Sequence, residues 1–134
     1  MNRILLVEDQ EEQLTRLGEI LTAKFPASEV HLAKGLQQAI KLIHDFYTMS
    51  IIITDYQLED GNGYDVLEYV QDHLSNVPVI IITAYGRDVG MEVRPALSLK
   101  KGAVDFMHKP FGLEEIDELI ERIKLRIEDA EARA

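Results

Sequence analysis

The sequence predicts an α/β fold in which helices cover both faces of a doubly wound parallel sheet of five strands. Three short runs dominated by Ile, Leu and Val support this prediction, at residues 4–7, 51–54 and 79–82. These runs lack the alternation of apolar and polar residues that marks a half-exposed strand, so they are typical of strands buried on both faces. Apolar residues at helical spacing lie between them, and this alternation of strands and helices indicates the fold class.

Two weaker apolar segments, at residues 29–33 and 104–107, complete the set of strands. Three helices are predicted from apolar residues spaced three or four positions apart: Leu14, Leu17, Ile20 and Leu21; Leu36, Ala39, Ile40, Ile43 and Phe46; and Val66, Leu67 and Val70. Strict alternation with short connections implies right-handed crossovers, and it fits the flavodoxin-like strand order 2-1-3-4-5. In that order the first, third and fourth strands are neighbours.

The last two helices are predicted to differ in regularity. Gly90 and Pro95 interrupt the fourth helical region, so a regular helix is expected only with Pro95 in its first turn. From Leu113 onward, apolar residues are spaced alternately four and three positions apart, as in a coiled-coil seam: Ile116, Ile120, Ile123, Ile127, Ala130 and Ala134. We expect one domain over residues 1–125 and a helical extension over 126–134. That extension is a solvated end, a homodimer contact or the start of a linker.

The composition restricts the class of protein. With 134 residues, 46% of them hydrophobic, the chain has the size of one domain and can bury a core. Its 24 acidic and 14 basic residues give a net charge of -10, which disfavours direct binding to nucleic acid or to anionic membranes. The absence of cysteine excludes disulfides and thiolate metal sites. The first apolar segment is too short for a signal peptide and no segment could span a membrane, so we expect a cytoplasmic protein.

Polar side chains follow three of the predicted strands at the point where each strand ends. Glu8 and Asp9 follow the first strand, Asp55 the third and Thr83 the fourth, and parallel sheets bind ligands beyond this edge. Three neighbouring carboxylates repel one another unless protons or a cation offset their charge. Oxygen ligands without a thiolate or a nearby imidazole indicate Mg2+, with Mn2+ as a substitute. The alternative, solvated strand ends, is common for one such residue but not for three on adjacent strands.

Lys109 follows the fifth strand and adds an ammonium group to the same edge. A cation opposite a metal suits a phosphoryl group, and the Thr83 hydroxyl could donate a hydrogen bond between them. Phosphoryl transfer requires charge stabilisation and in-line positioning from a protein more than covalent chemistry. Asp55 is central among these groups, so it is the carboxylate best placed to accept a phosphoryl group.

Five motifs in order resemble the receiver domain of two-component response regulators. They are Val-Glu-Asp at 7–9, Thr-Asp-Tyr-Gln-Leu at 54–58, Asp-Gly-Asn-Gly at 60–63, Ile-Ile-Thr-Ala at 81–84 and Lys-Pro-Phe at 109–111. Each motif is weak alone, but the set is specific in its order and spacing. The resemblance extends over about residues 2 to 125.

The resemblance implies a phosphoacceptor and a metal site. Asp55 would be phosphorylated by a histidine kinase or a phosphotransfer protein. Asp9 would bind Mg2+ directly and Glu8 through water, with the backbone carbonyl of Gln57 as a further ligand. Such a domain would catalyse only its own phosphorylation and dephosphorylation.

The resemblance also assigns the residues that respond to the phosphoryl group. Thr83 and Lys109 would contact it, and Phe106 would be the aromatic switch residue, although a plain core aromatic is the alternative for this position. Gln57 and Tyr85 resemble the variable positions that tune hydrolysis of the phosphoryl group. Phosphorylation would change the face built by the fourth helical region, the fifth strand and the last helix.

Other functions and the partners stay open at this point. A hydrolase of the haloacid dehalogenase type would need a second aspartate where Gln57 stands, and a cluster of acids suits an FMN phosphate poorly. A purely structural pairing module is disfavoured by the complete set of site residues. Because 19 positions separate Thr83 from Gly102, several more than the family leads us to expect, the partner surface is not assigned. The output is either a downstream protein or an output domain outside this chain.

Overall fold

The computed structural model describes residues 2–46, 48–74, 76–84, 95–109 and 112–133. In chain order its elements are β1 (Arg3–Val7), α1 (Glu11–Lys24), β2 (Glu29–Ala33), α2 (Leu36–Phe46), β3 (Ile51–Asp55), β4 (Gln57–Leu58), β5 (Gly61–Asn62), α3 (Gly63–His73), β6 (Val79–Thr83), α4 (Pro95–Lys101), β7 (Asp105–His108) and α5 (Leu113–Arg133).

The main sheet has five parallel strands in the order β2-β1-β3-β6-β7. The two-residue strands β4 and β5 pair only with each other, in an antiparallel hairpin. Consequently β6 and β7 are the fourth and fifth predicted strands, and the predicted order 2-1-3-4-5 is confirmed. The hairpin was not predicted, because strands of two residues carry no periodic signal.

Helices cover both faces of the sheet, as the sequence predicts. Successive side chains of a strand point to opposite faces. Ile4 and Leu6 of β1 pack in a core cluster with α1 and α5, whereas Leu5 and Val7 pack in a second cluster with α2 and α3. Strand β3 is buried at every position, which accounts for its unbroken apolar run.

Helix α5 uses the isoleucines of the predicted seam to cover its own sheet, whereas Ala130 is exposed and Ala134 lies outside the described residues. Ile116, Ile120, Ile123 and Ile127 are buried in the same core cluster as α1. Residues 128–132 are exposed. The isoleucines are therefore not an open surface for a second chain, and a homodimer contact, one of the alternatives for residues 126–134, stays a prediction. No described helix, α5 included, has the length and apolar character needed to cross a membrane.

The described part of helix α4 runs from Pro95 to Lys101, and Gly90 lies outside the described residues, so the place of Pro95 in the first turn stays a prediction. Ser98 of α4 is fully buried, and its hydroxyl oxygen lies 3.0 Å from that of Tyr64 in α3. Gly102 follows the helix with a φ of 114°, a conformation that favours glycine. Helix α4 is thus attached to α3 through a part-buried pair of hydroxyl groups.

The loop between β3 and α3 supplies caps to two helices. Asn62 accepts a hydrogen bond from the Asp65 backbone N–H at 3.0 Å, and the Asp65 carboxylate accepts one from the Asn62 N–H at 2.9 Å. This capping box fixes the start of α3. The Asp60 carboxylate accepts from the N–H groups of Leu36 at 2.7 Å and Gln37 at 3.0 Å, at the start of α2. The same short loop therefore orders α2 and α3.

Candidate functional site

The register of the sheet brings the predicted site residues to one edge. Strands β1 and β3 pair Val7 with Thr54, and β3 and β6 pair Asp55 with Ile82. Because these strands are parallel, the residues at their carboxyl ends gather beyond the same edge. This edge carries Glu8, Asp9, Asp55, Thr83 and Lys109.

Three carboxylates form a compact acidic cluster at this edge. One oxygen each from Glu8, Asp9 and Asp55 lies within 4.8 Å of the others. Glu8 is 2% exposed and Asp55 is 7% exposed, whereas Asp9 is half-buried. This donor set suits a hard divalent cation, because such ions prefer carboxylate oxygens.

Lys109 places its ammonium between two of these carboxylates. Its Nζ donates to Asp55 Oδ2 at 3.2 Å and forms a short ion pair with Glu8 Oε1. The backbone N–H of Lys109 donates to the Thr83 carbonyl at 2.6 Å, which ties the residue to the end of β6. The Lys109 side chain is 8% exposed. The structure thus brings Lys109 to the acidic edge where the sequence predicts it.

Gln13 is a further contact of Lys109 that the sequence does not predict. Its Oε1 accepts a hydrogen bond from Lys109 Nζ at 2.8 Å. Gln13 lies in the first turn of α1, where a polar residue is an ordinary surface residue. No local pattern distinguishes it, because its partner is 96 positions away in the chain.

The electrostatics of the cluster favour a bound cation. Burial raises the pKa of Asp55 to about 7; the Lys109 ammonium opposes this rise and the Glu8 carboxylate adds to it. Burial also acts to raise the pKa of Glu8, but the hydrogen bond and charge of Lys109 outweigh it and the pKa is lowered. Burial and the neighbouring Glu8 raise the pKa of Asp9. One ammonium therefore does not offset three carboxylates, and a divalent cation would lower their mutual repulsion.

An open cavity of about 360 Å³ gives access to the cluster. Its lining includes Asp9 and Asp55, together with Gln57 of β4. The cavity therefore borders Asp55 on the side of Gln57, whereas Lys109 also contacts Gln13 of α1.

Gly63 allows α3 to start against the backbone of Asp55. Its N–H donates to the Tyr56 carbonyl at 2.7 Å. A Cβ atom at Gly63 would lie 3.0 Å from the Asp55 carbonyl oxygen and 3.1 Å from the Tyr56 Cα. Any other residue would have to displace the backbone that carries Asp55.

The remaining predicted residues lie near the cluster or outside the described chain. Thr83 is fully buried at the end of β6. Phe106 of β7 is 9% exposed, belongs to the core cluster on the α2 and α3 side, and packs edge-on against His108 at 5.1 Å between ring centroids. Tyr85 lies outside the described residues.

Comparison with known proteins places this fold and site in a family. Residues 4–121 match the family model of the response regulator receiver domain. The chain is 32% identical over 128 residues to the response regulator protein PilR of Pseudomonas aeruginosa, which covers 95% of this chain and 27% of PilR. It is 33% identical over 127 residues to the transcriptional regulatory protein FixJ of Rhizobium meliloti, covering 95% of this chain and 59% of FixJ. The beryllofluoride-activated NtrC4 receiver domain dimer matches with a TM-score of 0.76 and 28% identity, over 92% of this chain and 96% of that one.

The doubly wound fold is that of a receiver domain. The chain belongs to the response regulator receiver domain family of two-component systems. It spans about a quarter of the length of PilR and 59% of that of FixJ.

Proposed function

We propose that this receiver domain is a phosphorylation-dependent switch, in which Asp55 accepts a phosphoryl group from a histidine kinase or a phosphotransfer protein. The position of Asp55 supports this most directly. It is buried at the end of the central strand β3, its Oδ2 lies 3.2 Å from the Lys109 ammonium, and two further carboxylates adjoin it. An aspartate with only a structural role at the surface would not require burial, a neighbouring ammonium and two adjoining carboxylates together.

Glu8, Asp9 and Asp55 fit a Mg2+ ion, for which Mn2+ could substitute. We assign direct ligation to Asp9 and Asp55, and ligation through water to Glu8. The backbone carbonyl of Gln57, a residue that lines the cavity, would be a further ligand. The ion would supply positive charge opposite the oxygens of an incoming phosphoryl group. The chain contributes two buried carboxylates and one half-buried carboxylate, each with an oxygen within 4.8 Å of the others.

In the proposed transfer, a carboxylate oxygen of Asp55 attacks the phosphorus of the donor. The new oxygen–phosphorus bond forms while the bond from phosphorus to the leaving atom breaks, and the leaving group keeps that electron pair and takes up a proton. Lys109, already next to Asp55, would bind one phosphoryl oxygen, and the Thr83 hydroxyl would bind another. Both contacts stabilise charge on the transferring group.

Thr83 and Phe106 would carry the change away from Asp55. Thr83 ends β6, and Phe106 lies on the neighbouring strand β7. We propose that Thr83 moves towards the phosphoryl group and that Phe106 follows, which alters the face of α4, β7 and α5. Such a change is a shift of population between two states. Gln57 and Tyr85 are proposed to tune the hydrolysis of the phosphoryl group.

We assign the receiver domain to residues 1–125 and a helical extension to 126–134. The chain would act in the cytoplasm and catalyse only its own phosphorylation and dephosphorylation. Its net charge of -10 supports a protein as the downstream partner, either separate or joined as an output domain, and opposes direct binding to nucleic acid.

Incubation with acetyl phosphate and Mg2+, followed by intact mass spectrometry, tests the proposed function. We expect one added phosphoryl group that is stable in acid and lost in base. Asp55→Asn, which keeps the size of the side chain, is the matched control and should take up none. A wild type without the adduct, or an Asp55→Asn variant that gains as much, would refute the proposal. Steady turnover of a phosphomonoester would indicate a hydrolase instead.

A further inference from the structure

Gln13 completes the set of hydrogen bonds made by the Lys109 ammonium. Lys109 Nζ donates to Gln13 Oε1 at 2.8 Å, to Asp55 Oδ2 at 3.2 Å and to Glu8 Oε1. An ammonium group has three N–H donors and no acceptor. The three oxygens therefore use the whole donor capacity of Lys109, and Gln13 supplies the one neutral acceptor among them.

Gln13 itself is held by a closed ring of hydrogen bonds. Its Nε2 donates to Gln10 Oε1 at 2.7 Å, and the backbone N–H of Gln10 donates to Glu8 Oε2 at 3.2 Å. The other oxygen of Glu8 binds Lys109, which closes the ring. Because an ammonium can only donate, the oxygen end of the Gln13 amide must face Lys109 and its nitrogen end must face Gln10. The amide thus has one orientation, although Gln13 is exposed on α1.

We infer that Gln13 is a positioning residue for Lys109: it fixes the ammonium so that one N–H points to Asp55, where a phosphoryl oxygen would arrive. This inference deepens the proposed function and rests on it, since the phosphoryl contact of Lys109 is part of that function. Gln13 does not touch the phosphoryl group. Without it the ammonium gains rotational freedom, and the N–H that points to Asp55 is in place for a smaller fraction of the time.

The mobility of the Lys109 ammonium tests the inference without any phosphorylation. Gln13→Met keeps the length of the side chain and a high helix propensity but removes the amide acceptor. In protein labelled with 15N at lysine Nζ, we expect a lower order parameter for Lys109 in Gln13→Met than in wild type. Thr15→Ala, a neutral change at an exposed position of the same helix, should leave the Lys109 signal unchanged.

Phosphorylation kinetics give the second measurement. At saturating acetyl phosphate and Mg2+, the rate constant for phosphorylation of Gln13→Met should fall roughly threefold to tenfold, the equivalent of one ordinary hydrogen bond. The Mg2+ concentration at half-saturation should change less than about twofold, because no proposed metal ligand is altered. A lower melting temperature with unchanged Lys109 mobility and unchanged rate would give Gln13 a structural role only and overturn the inference. A wild type that takes up no phosphate would instead overturn the proposed function.

Discussion

The fold strongly changes the protonation of Asp55. Burial raises its pKa from 3.8 to about 7; Lys109 opposes the rise and Glu8 adds to it. Between these two pH values the unfolded chain has released the Asp55 proton, whereas the folded protein still holds it. Since the unfolded state binds fewer protons there, the free energy of unfolding decreases as the pH rises from 3.8 to about 7.

We therefore expect metal-free Asp55→Asn to gain stability over the wild type as the pH rises. The difference should be small near pH 4 and reach roughly 2–4 kcal/mol above pH 7, because asparagine has no proton to lose. Urea unfolding in the presence of a chelator, repeated across this pH range, measures it. Added Mg2+ should restore stability to the wild type but not to the variant. A difference that is independent of pH would contradict the expected role of the buried charge.

Among the residues of the site, the meeting of the charged side chains could be predicted from the sequence, whereas the contact of Gln13 with Lys109 could not. Glu8, Asp9 and Asp55 follow strands that the apolar runs identify, so their meeting at one edge follows from strand order alone. The contact of Gln13 with Lys109 depends on the angle at which α1 packs on the sheet. Packing angles depend on the side chains of several elements together, so the pattern of residues within α1 does not predict them.

Among the elements, α2 depends on a cap from a remote loop. Asp60 accepts hydrogen bonds from the N–H groups of Gln37 and Leu36, which lower the pKa of its carboxyl group. Such an acceptor satisfies donors that a helix leaves unpaired at its first turn, and its negative charge suits that end of the helix. The loop after β3 and the start of α2 are therefore coupled.

Asp60→Ala should lower the free energy of unfolding by about 1 kcal/mol, the usual cost of losing an N-terminal cap. The lowered pKa gives a stability term that is present above pH 3.8 and lost as the pH falls below it, so the difference from wild type should shrink in acid. Chemical unfolding at several pH values is the measurement. Glu68→Ala, an exposed acid in the middle of α3, is the matched control, and an equal effect of both changes would argue against the cap.

Tyr64 anchors α4 to α3. Tyr64→Phe keeps the ring, which packs edge-on against Tyr56 with 5.0 Å between centroids, but removes the hydroxyl partner of the fully buried Ser98. We expect a loss of roughly 1–2 kcal/mol in the free energy of unfolding and faster amide hydrogen exchange in residues 98–102. Tyr69→Phe is the control, because no hydrogen bond of its hydroxyl is described. Unchanged exchange in α4 would show that the hydroxyl pair does not hold this helix.

The seam in α5 shows why element patterns can be ambiguous. Spacings of four and three positions are shared by a coiled-coil helix and by any amphipathic helix that lies on its own sheet. Ile116 to Ile127 follow the second pattern, as their burial with α1 demonstrates. The length of the apolar stripe does not by itself show whether the stripe faces the sheet of its own chain or a helix of a second chain.

For the whole molecule, the exposed end of α5 tests both the domain boundary and the homodimer hypothesis. A chain that ends after Glu128 keeps Ile127, so its free energy of unfolding should change by less than about 1 kcal/mol, because residues 129–132 are exposed. Ile127→Ala in the full chain should cost about 2–4 kcal/mol, since it leaves a cavity in the core. If light scattering shows the same number of chains per particle before and after truncation, a homodimer through this segment is excluded.

The overall architecture could be predicted because it depends on few variables. Unbroken apolar runs identify strands that are buried on both faces. The right-handedness of the connections between parallel strands then restricts the order of the strands in the sheet. The β4–β5 hairpin and the cap on α2 lie outside these rules, because both depend on contacts that the loop after Asp55 makes once the sheet is formed.

The continuation of α5 beyond Ile127 has a geometric consequence for fusion proteins. A helix advances 1.5 Å and turns about 100° with each residue. Any domain fused to this end without a break in the helix would be held at a defined heading from the sheet. Inserting or deleting one residue would swing that domain by about 100° around the helix axis, whereas seven residues would return it close to its original heading. A series of single-residue insertions thus offers a rotational scan of how the receiver transmits its state.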